Sequence, residues 1–404
     1  MSLLDKFDVL DPEVINNPYP YFVELREKAP LFWLKSLEAH VVSRYEDVTY
    51  VLKNPALFSS VDIRVKGQLA KDRSPLDGSV ANLVNSDPPV HTRLRGVVSR
   101  AFIPKRISEM EPRVLELSKG FVAEMTAREE FDFMDGLASP LPVTVISEML
   151  GIEVSRRRDF KRWSDSLIHS GPQTLRDGKP SEEVVRNAHE MRDYMAEIAE
   201  KRRREPTGDL ISLLVQGGEG AEPLTPQEVN SFAIILLIAG NETTTNLLGN
   251  SLLALIRNPE QYDWLRRNPT REACARVSEE TLRYDSPVMG LMRRATQDVE
   301  LSGGKVPAGS TVMAMLASAN HDPRKFSNPE RFDPERETNG LMSFGHGIHF
   351  CLGAPLTRLE APVALKELME RAPRLGLASR QPERIDYGGS FFLRGPRSLW
   401  LRKS

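Results

Sequence analysis

Residues 225–257 constrain this chain more than any other stretch. Thr225 suits a helix N-cap, Pro226 suits the first helical position, and Glu228 completes a capping box. Pro259 disfavours helix beyond residue 258. The pattern predicts one helix, about 50 Å long at 1.5 Å per residue. Its segment "FAIILLIAG", residues 232–240, is apolar on every side, so the helix must cross a core rather than lie on a surface. The next residues break that rule. Gly240 weakens the helix, and Asn241, Glu242, Thr243, Thr244 and Thr245 follow it in the buried middle. Buried polar groups need partners or they cost stability. Locally wrong chemistry inside a core marks a functional site; the alternative is a kink with threonines bonded back to the preceding turn.

The rest of the chain fits around such a rod. Helical periodicity covers 105–129, 181–204, 270–284 and 353–371. Strand signals are few and short, near 40–44, 299–303, 310–316 and in the C-terminal "RSLWLR". Residues 60–85 and 169–181 are polar and irregular and read as loops. No repeat or compositional linker divides the chain, so the expectation is a single domain, 1–404, mainly α with small sheets. With 404 residues, 40% of them hydrophobic, the core is large. Lys plus Arg is 54 and Asp plus Glu is 56, a balance that argues against a nucleic-acid partner. The N-terminal "MSLLDKFDVLDPEV" has early acidic residues and no apolar run, unlike a signal peptide. The nine-residue run at 232–240 is too short to span a bilayer. The reading is a cytoplasmic protein with no membrane partner.

Two cysteines are present. Cys274 lies in a strongly helical pattern and reads as a small buried apolar residue. No secretion signal favours a disulfide, and no CxxC frames a zinc or iron–sulfur site. Cys351 sits in "FGHGIHFCLG", residues 344–353, where a glycine-rich loop turns into a helix beginning near Leu352. The positive end of that helix and its free N–H groups favour thiolate. Gly345, Gly347 and Gly353 leave room for something flat to approach the backbone. From these residues alone Cys351 is a nucleophile, a metal ligand or a structural cysteine.

The ten residues match FGxGxHxCxG, which resembles the haem-binding loop of the cytochrome P-450 monooxygenases. Four further stretches resemble the same family in its own order: "HTRLR" (91–95), "AGNETT" (239–244), "EETLR" (279–283) and "PERF" (329–332). The resemblance runs from "SRYEDV" at residue 43 to "LRGPRSLWL" near the C-terminus. It implies the single-domain cytochrome P-450 fold, with haem b between the long helix and the helix after the cysteine. Cys351 would be the proximal thiolate ligand of the iron, a ligand that favours O–O cleavage. His91, Arg95, Arg293 and His349 would hold the propionates, with Arg294 competing for the place of Arg293. Phe344 would shield the thiolate, and Gly353 would face the macrocycle. Ala239 and Gly240 would leave room for dioxygen. Glu242 and Thr243 would deliver its protons, the alcohol orienting water and the carboxylate relaying from solvent. Glu280 and Arg283, joined by Arg331, would form a structural lock. His346 occupies a variable position of the loop.

The chain has no dinucleotide fingerprint and no fused electron-transfer domain. The resemblance therefore implies a separate ferredoxin or flavodoxin, docked on the cysteine side near Arg93, Arg100, Lys105, Arg106 and Arg358. The substrate pocket would take Leu83, Val84, Ile235, Leu236, Val288, Met289, Leu291, Phe391 and Phe392, with contributions from residues 60–85 and 163–178. These are apolar, which suits a terpenoid or steroid better than a small aromatic acid. The implied reaction is hydroxylation with one atom of O2. Haem-thiolate coupling, desaturation or peroxide chemistry and a non-enzymatic haem sensor are the competing readings; Glu242 and Thr243 count against peroxide-driven and sensor roles.

Overall fold

The capping box forms as the sequence predicts. Thr225 N donates to Glu228 Oε2 at 2.9 Å, and Glu228 N donates to Thr225 Oγ1 at 3.2 Å. The helix then runs unbroken over Pro226–Arg257. It is long and apolar enough to cross a membrane, yet 65% of its apolar window is buried inside the protein. The computed structural model describes residues 2–61, 63, 82–169, 179–217, 222–388 and 390–403. Most of the 60–85 loop, all of 170–178 and Gly389 lie outside the described residues.

The chain divides into two units, with the boundary inside the long helix between Glu242 and Thr243. The larger contains residues 1–59, 107–141 and 243–404. Its main sheet orders the strands β1 (Leu31–Leu34), β2 (Ala39–Val42), β8 (Thr311–Ala314), β5 (Leu291–Ala295) and β3 (Phe58–Ser59). Between them in sequence lie β4 (Glu130–Asp132) and the two-stranded ribbon β6 (Val299–Leu301) and β7 (Gly304–Val306). A three-stranded sheet joins β4 to β10 (Trp400–Lys403) and β9 (Leu375–Leu377). All pairings are antiparallel except β2 with β8, which brings Val41 beside Met313 across most of the chain. Val42, Phe58, Val312 and Ala314 are fully buried and make one core cluster with Val48 and Val51 of the Tyr45–Lys53 helix. The Ala354–Arg371 helix packs against Glu111–Met125 and Arg271–Tyr284.

In the smaller unit, residues 60–106 and 142–242, the regular elements among the described residues are all helices. Glu182–Arg204 packs on Arg157–His169 and on Leu210–Gln216. The helix expected over 105–129 is two, Pro104–Glu109 and Glu111–Met125. Pro112 is the reason: it lacks an N–H and suits only the first turn of a new helix.

Candidate haem-thiolate site

In the larger unit the loop before Cys351 is closed by the backbone. Gly345 N donates to Met342 O at 2.7 Å, and Cys351 N donates to Phe344 O at 2.9 Å. Gly345 and Gly347 take φ of +67° and +71°, which glycine adopts without strain. A Cβ on Gly347 would also collide with the Leu52 carbonyl. That glycine therefore answers to the Tyr45–Lys53 helix rather than to anything flat. The helix after the loop starts at Ala354, not Leu352, with Gly353 as its N-cap. Cys351 is half-buried, and a Cβ on Gly353 would sit 3.9 Å from its Sγ. His346 faces outward: its Nδ1 accepts from Gly347 N at 2.7 Å and caps the turn Gly347–His349. Phe344 is buried and carries the Arg358 guanidinium 4.7 Å above its ring. Arg358 also forks onto Glu279 at 2.7 and 2.9 Å. That bond, and more weakly the nearby Cys351, hold its pKa above the ordinary value.

Strand alternation decides between two arginines. Leu291 and Arg293 share one face of β5, and a Cβ on Gly345 would lie 3.6 Å from Leu291 Cδ1. Arg293, 6% exposed, thus lies on the face toward the cysteine loop, and Arg294 points to the other. Arg293 also donates to the Met292 carbonyl at 2.7 Å.

The lock behind this loop has a different third member from the one expected. Glu280 and Arg283 are fully buried and bidentate, at 2.9 and 2.8 Å. Arg283 also donates to the carbonyls of Asn320, Pro329 and Arg331. Arg331 enters only through that carbonyl; its own side chain is 66% exposed. The guanidinium that joins Glu280 is Arg336, at 3.3 Å. Arg336 also donates to the Asn328 and Arg331 carbonyls, which holds it inward.

The polar run of the long helix is largely paired across to other elements. Thr244 Oγ1 lies 3.3 Å from Thr357 Oγ1, and Thr245 Oγ1 donates to Ala138 O at 3.0 Å. In the smaller unit Asn241 Nδ2 donates to Ser164 Oγ at 3.1 Å. Glu242 and Thr243 are half-buried, Gly240 is half-buried, and Ala239 is exposed, although Leu237 and Thr244 on either side are buried. A Cβ on Gly240 would meet Ile146 Cδ1 at 3.0 Å, so this glycine also accommodates a close neighbour. His91 is buried on the Val90–Val98 helix, where burial and then Arg95 lower its pKa.

Other expected residues fare unevenly. Leu83 and Leu236 are buried and Ile235 half-buried, while Val84 is 50% exposed. Met289 is buried, and Val288, Leu291 and Phe392 are half-buried. Phe391 is a core residue: its ring lies 6.4 and 6.5 Å from those of Phe7 and Phe22. Successive residues of an extended segment face opposite ways, so Phe391 turns toward the N-terminal aromatics. Of the expected basic surface, Arg93 is already paired with Glu228 and Arg358 with Glu279. Both cysteines are thiols, and burial pushes Cys274 up to about 12, which makes it inert. Sequence reasoning missed Arg336 and Thr357; a threonine one turn before a glutamate on the cysteine-side helix was the available signal for the latter.

A lone half-buried thiol at a glycine turn cannot saturate an iron, so an iron bound there brings ligands of its own. A buried arginine facing the loop suits acid groups on the same macrocycle. Fold and donors together define a haem-thiolate protein. The cytochrome P-450 family model matches residues 10–397. The chain is 37% identical to a vitamin D(3) 25-hydroxylase of Pseudonocardia autotrophica, covering 97% of this chain and 95% of that one. It is 35% identical to the 6-deoxyerythronolide B hydroxylase of Saccharopolyspora erythraea, covering 95% of each. A Bacillus megaterium cytochrome P-450 solved in complex with testosterone superposes with a TM-score of 0.87, at 36% identity, over 97% of this chain and 99% of that one. The chain belongs to the cytochrome P-450 family. It is a haem b monooxygenase that uses O2, a small-molecule substrate and a redox partner.

Proposed function

We propose that this enzyme hydroxylates an unactivated C–H bond of a hydrophobic small molecule, a terpenoid or steroid, with electrons from a separate ferredoxin or flavodoxin. The observation that carries the substrate reading is the apolar, uncharged character of Val288, Leu291 and Phe392, which are half-buried on the segments around β5 and the C-terminal loop. The relative bound to testosterone supports the same size and polarity. Met289 would add to that apolar lining.

Haem b, when bound, supplies the iron that activates dioxygen. Cys351 would ligate that iron as thiolate, with the N-terminus of the following helix favouring its charge. Arg293 and His349 would hold propionate oxygens by charge-assisted hydrogen bonds, the role that the family resemblance also gives to His91 and Arg95. Phe344 limits water beside the thiolate. Thr243 would orient a water beside the long helix, and Glu242 would move protons to it from solvent. Glu280, Arg283 and Arg336 keep the cysteine loop in register. One domain, 1–404, in the cytoplasm is the organisation this reading takes; the family model's span over both units supports the first part.

The test is an optical titration of the ferric enzyme with steroids, terpenoids, fatty acids and aromatic acids. A Soret shift toward high spin with steroids or terpenoids is the expected result. A shift confined to aromatic or fatty acids refutes the substrate class.

A further inference from the structure

Where the Arg271–Tyr284 helix ends, Asp285 starts a buried network that the reaction does not use. Its Oδ1 accepts from Tyr19 Oη at 2.5 Å and from Arg394 Nε at 2.7 Å. Arg394 is 5% exposed. Its other nitrogens donate to the Ile15 and Asn16 carbonyls at 2.8 and 3.2 Å, and its guanidinium lies 3.7 Å over the Tyr387 ring. Asn250, from the buried second half of the long helix, donates to the carbonyls of both Asp285 and Arg394, at 2.9 and 3.0 Å. Burial and the Asp285 charge raise Tyr19 well above an ordinary tyrosine, so it stays a donor.

Both charged residues are anchored at the ends of one short ladder. Arg394 N donates to Pro287 O at 2.9 Å, Val288 bridges Leu393, and Met289 N donates to Phe392 O at 3.0 Å. Those few bonds are all that register residues 287–289 against 392–394 among the described residues. A ladder this short does not hold its own position, because two or three hydrogen bonds contribute only a few kcal/mol net. The ion pair between the ladder's last residue, Arg394, and Asp285, two residues before Pro287, does, since the Arg394 fork is fixed in direction by four partners and cannot rotate without leaving the Asp285 charge buried and without its countercharge.

We infer that Asp285 and Arg394 are positioning residues that set the shape of the substrate pocket, by fixing the register of the segment that carries Val288 against the one that carries Leu393, its neighbour on the same face of the ladder. This rests on the reading that Val288 contacts substrate. A ligand that touches this ladder feels its register, and one that stays clear of it is indifferent to the ion pair.

The experiment uses the haem-loaded enzyme and two iron-binding probes, imidazole and the bulky 1-tritylimidazole, titrated optically into wild type, Arg394→Lys and Tyr19→Phe. Lysine keeps the charge and loses the fork; phenylalanine removes only the hydroxyl that donates to Asp285. The expected result is a change of about tenfold in the ratio of the two dissociation constants for Arg394→Lys and about threefold for Tyr19→Phe, with imidazole alone within twofold of wild type. Should Arg394→Lys fail to accumulate, Tyr19→Phe decides. An unchanged ratio, or equal weakening of both probes, overturns the inference. A changed ratio in an enzyme that answers to no steroid or terpenoid refutes the substrate class and leaves the positioning role standing.

Discussion

Glu360 gives the most quantitative prediction. It lies on the Ala354–Arg371 helix, 1% exposed, with Oε1 lacking a hydrogen-bond partner. Burial pushes its carboxyl up to about 8 from an ordinary 4.5. The sign follows from which state releases its proton first. Below pH 4.5 both folded and unfolded chains hold it, and stability is untouched. Between 4.5 and 8 only the unfolded chain ionises, so stability falls by ~1.4 kcal/mol per pH unit, ~5 kcal/mol in all. At pH 7 the loss is already ~3 kcal/mol by the same relation. Glu360→Gln keeps the shape and never ionises. For a chain this long, 1 kcal/mol moves the melting midpoint by roughly 1 °C. The variant and wild type should therefore melt together near pH 5, with the variant about 3 °C higher at pH 7 and about 5 °C higher at pH 8.5. The assay is loss of the Soret band on heating the holoenzyme across that range. A difference that does not change with pH would refute the reasoning, since it would mean that Glu360 is ionised in the fold or never titrates.

Four further variants test the site. Cys351→Ala should abolish the thiolate-type spectrum of the reduced, CO-bound enzyme; an unchanged spectrum removes the ligand assignment. Thr243→Ala should retain haem and substrate binding but divert most of the electron flow from product to hydrogen peroxide, read as peroxide formed per reducing equivalent, and fully coupled turnover defeats the proton-delivery role. Arg336→Ala should destabilise the fold by about 1–3 kcal/mol and lower haem content, because it strips one charged partner from buried Glu280, which keeps Arg283. Arg331→Ala should stay within about 0.5 kcal/mol of wild type, as exposed side chains do; the reverse order in haem content would restore Arg331 as the third member of the lock.

What the sequence determined by itself was local. The capping box and the 32-residue helix are set by neighbours within four residues and are legible from spacing; the glycine-rich turn at Cys351 is legible by type, although Gly347 also answers to the Leu52 carbonyl. The motif residues carry the family because their chemistry depends on type and order. Tertiary structure decided the partners. Arg331 and Arg336 are equally good arginines, and only the fold of the 327–336 segment turns the second toward Glu280, 56 residues away. Asp285 and Arg394 meet across 109 residues, and Asn250 joins them from a third element. Phe391 and Phe392 look alike in sequence; the N-terminal aromatics claim the first and leave the second half-buried. The strands were the least legible, because two to five residues hold too little alternation to fix a register. A parallel pair such as Ala39 with Thr311 exists only once the intervening chain has folded. Short-range preferences are additive and readable; which polar group faces which across a core depends on how every other element packs.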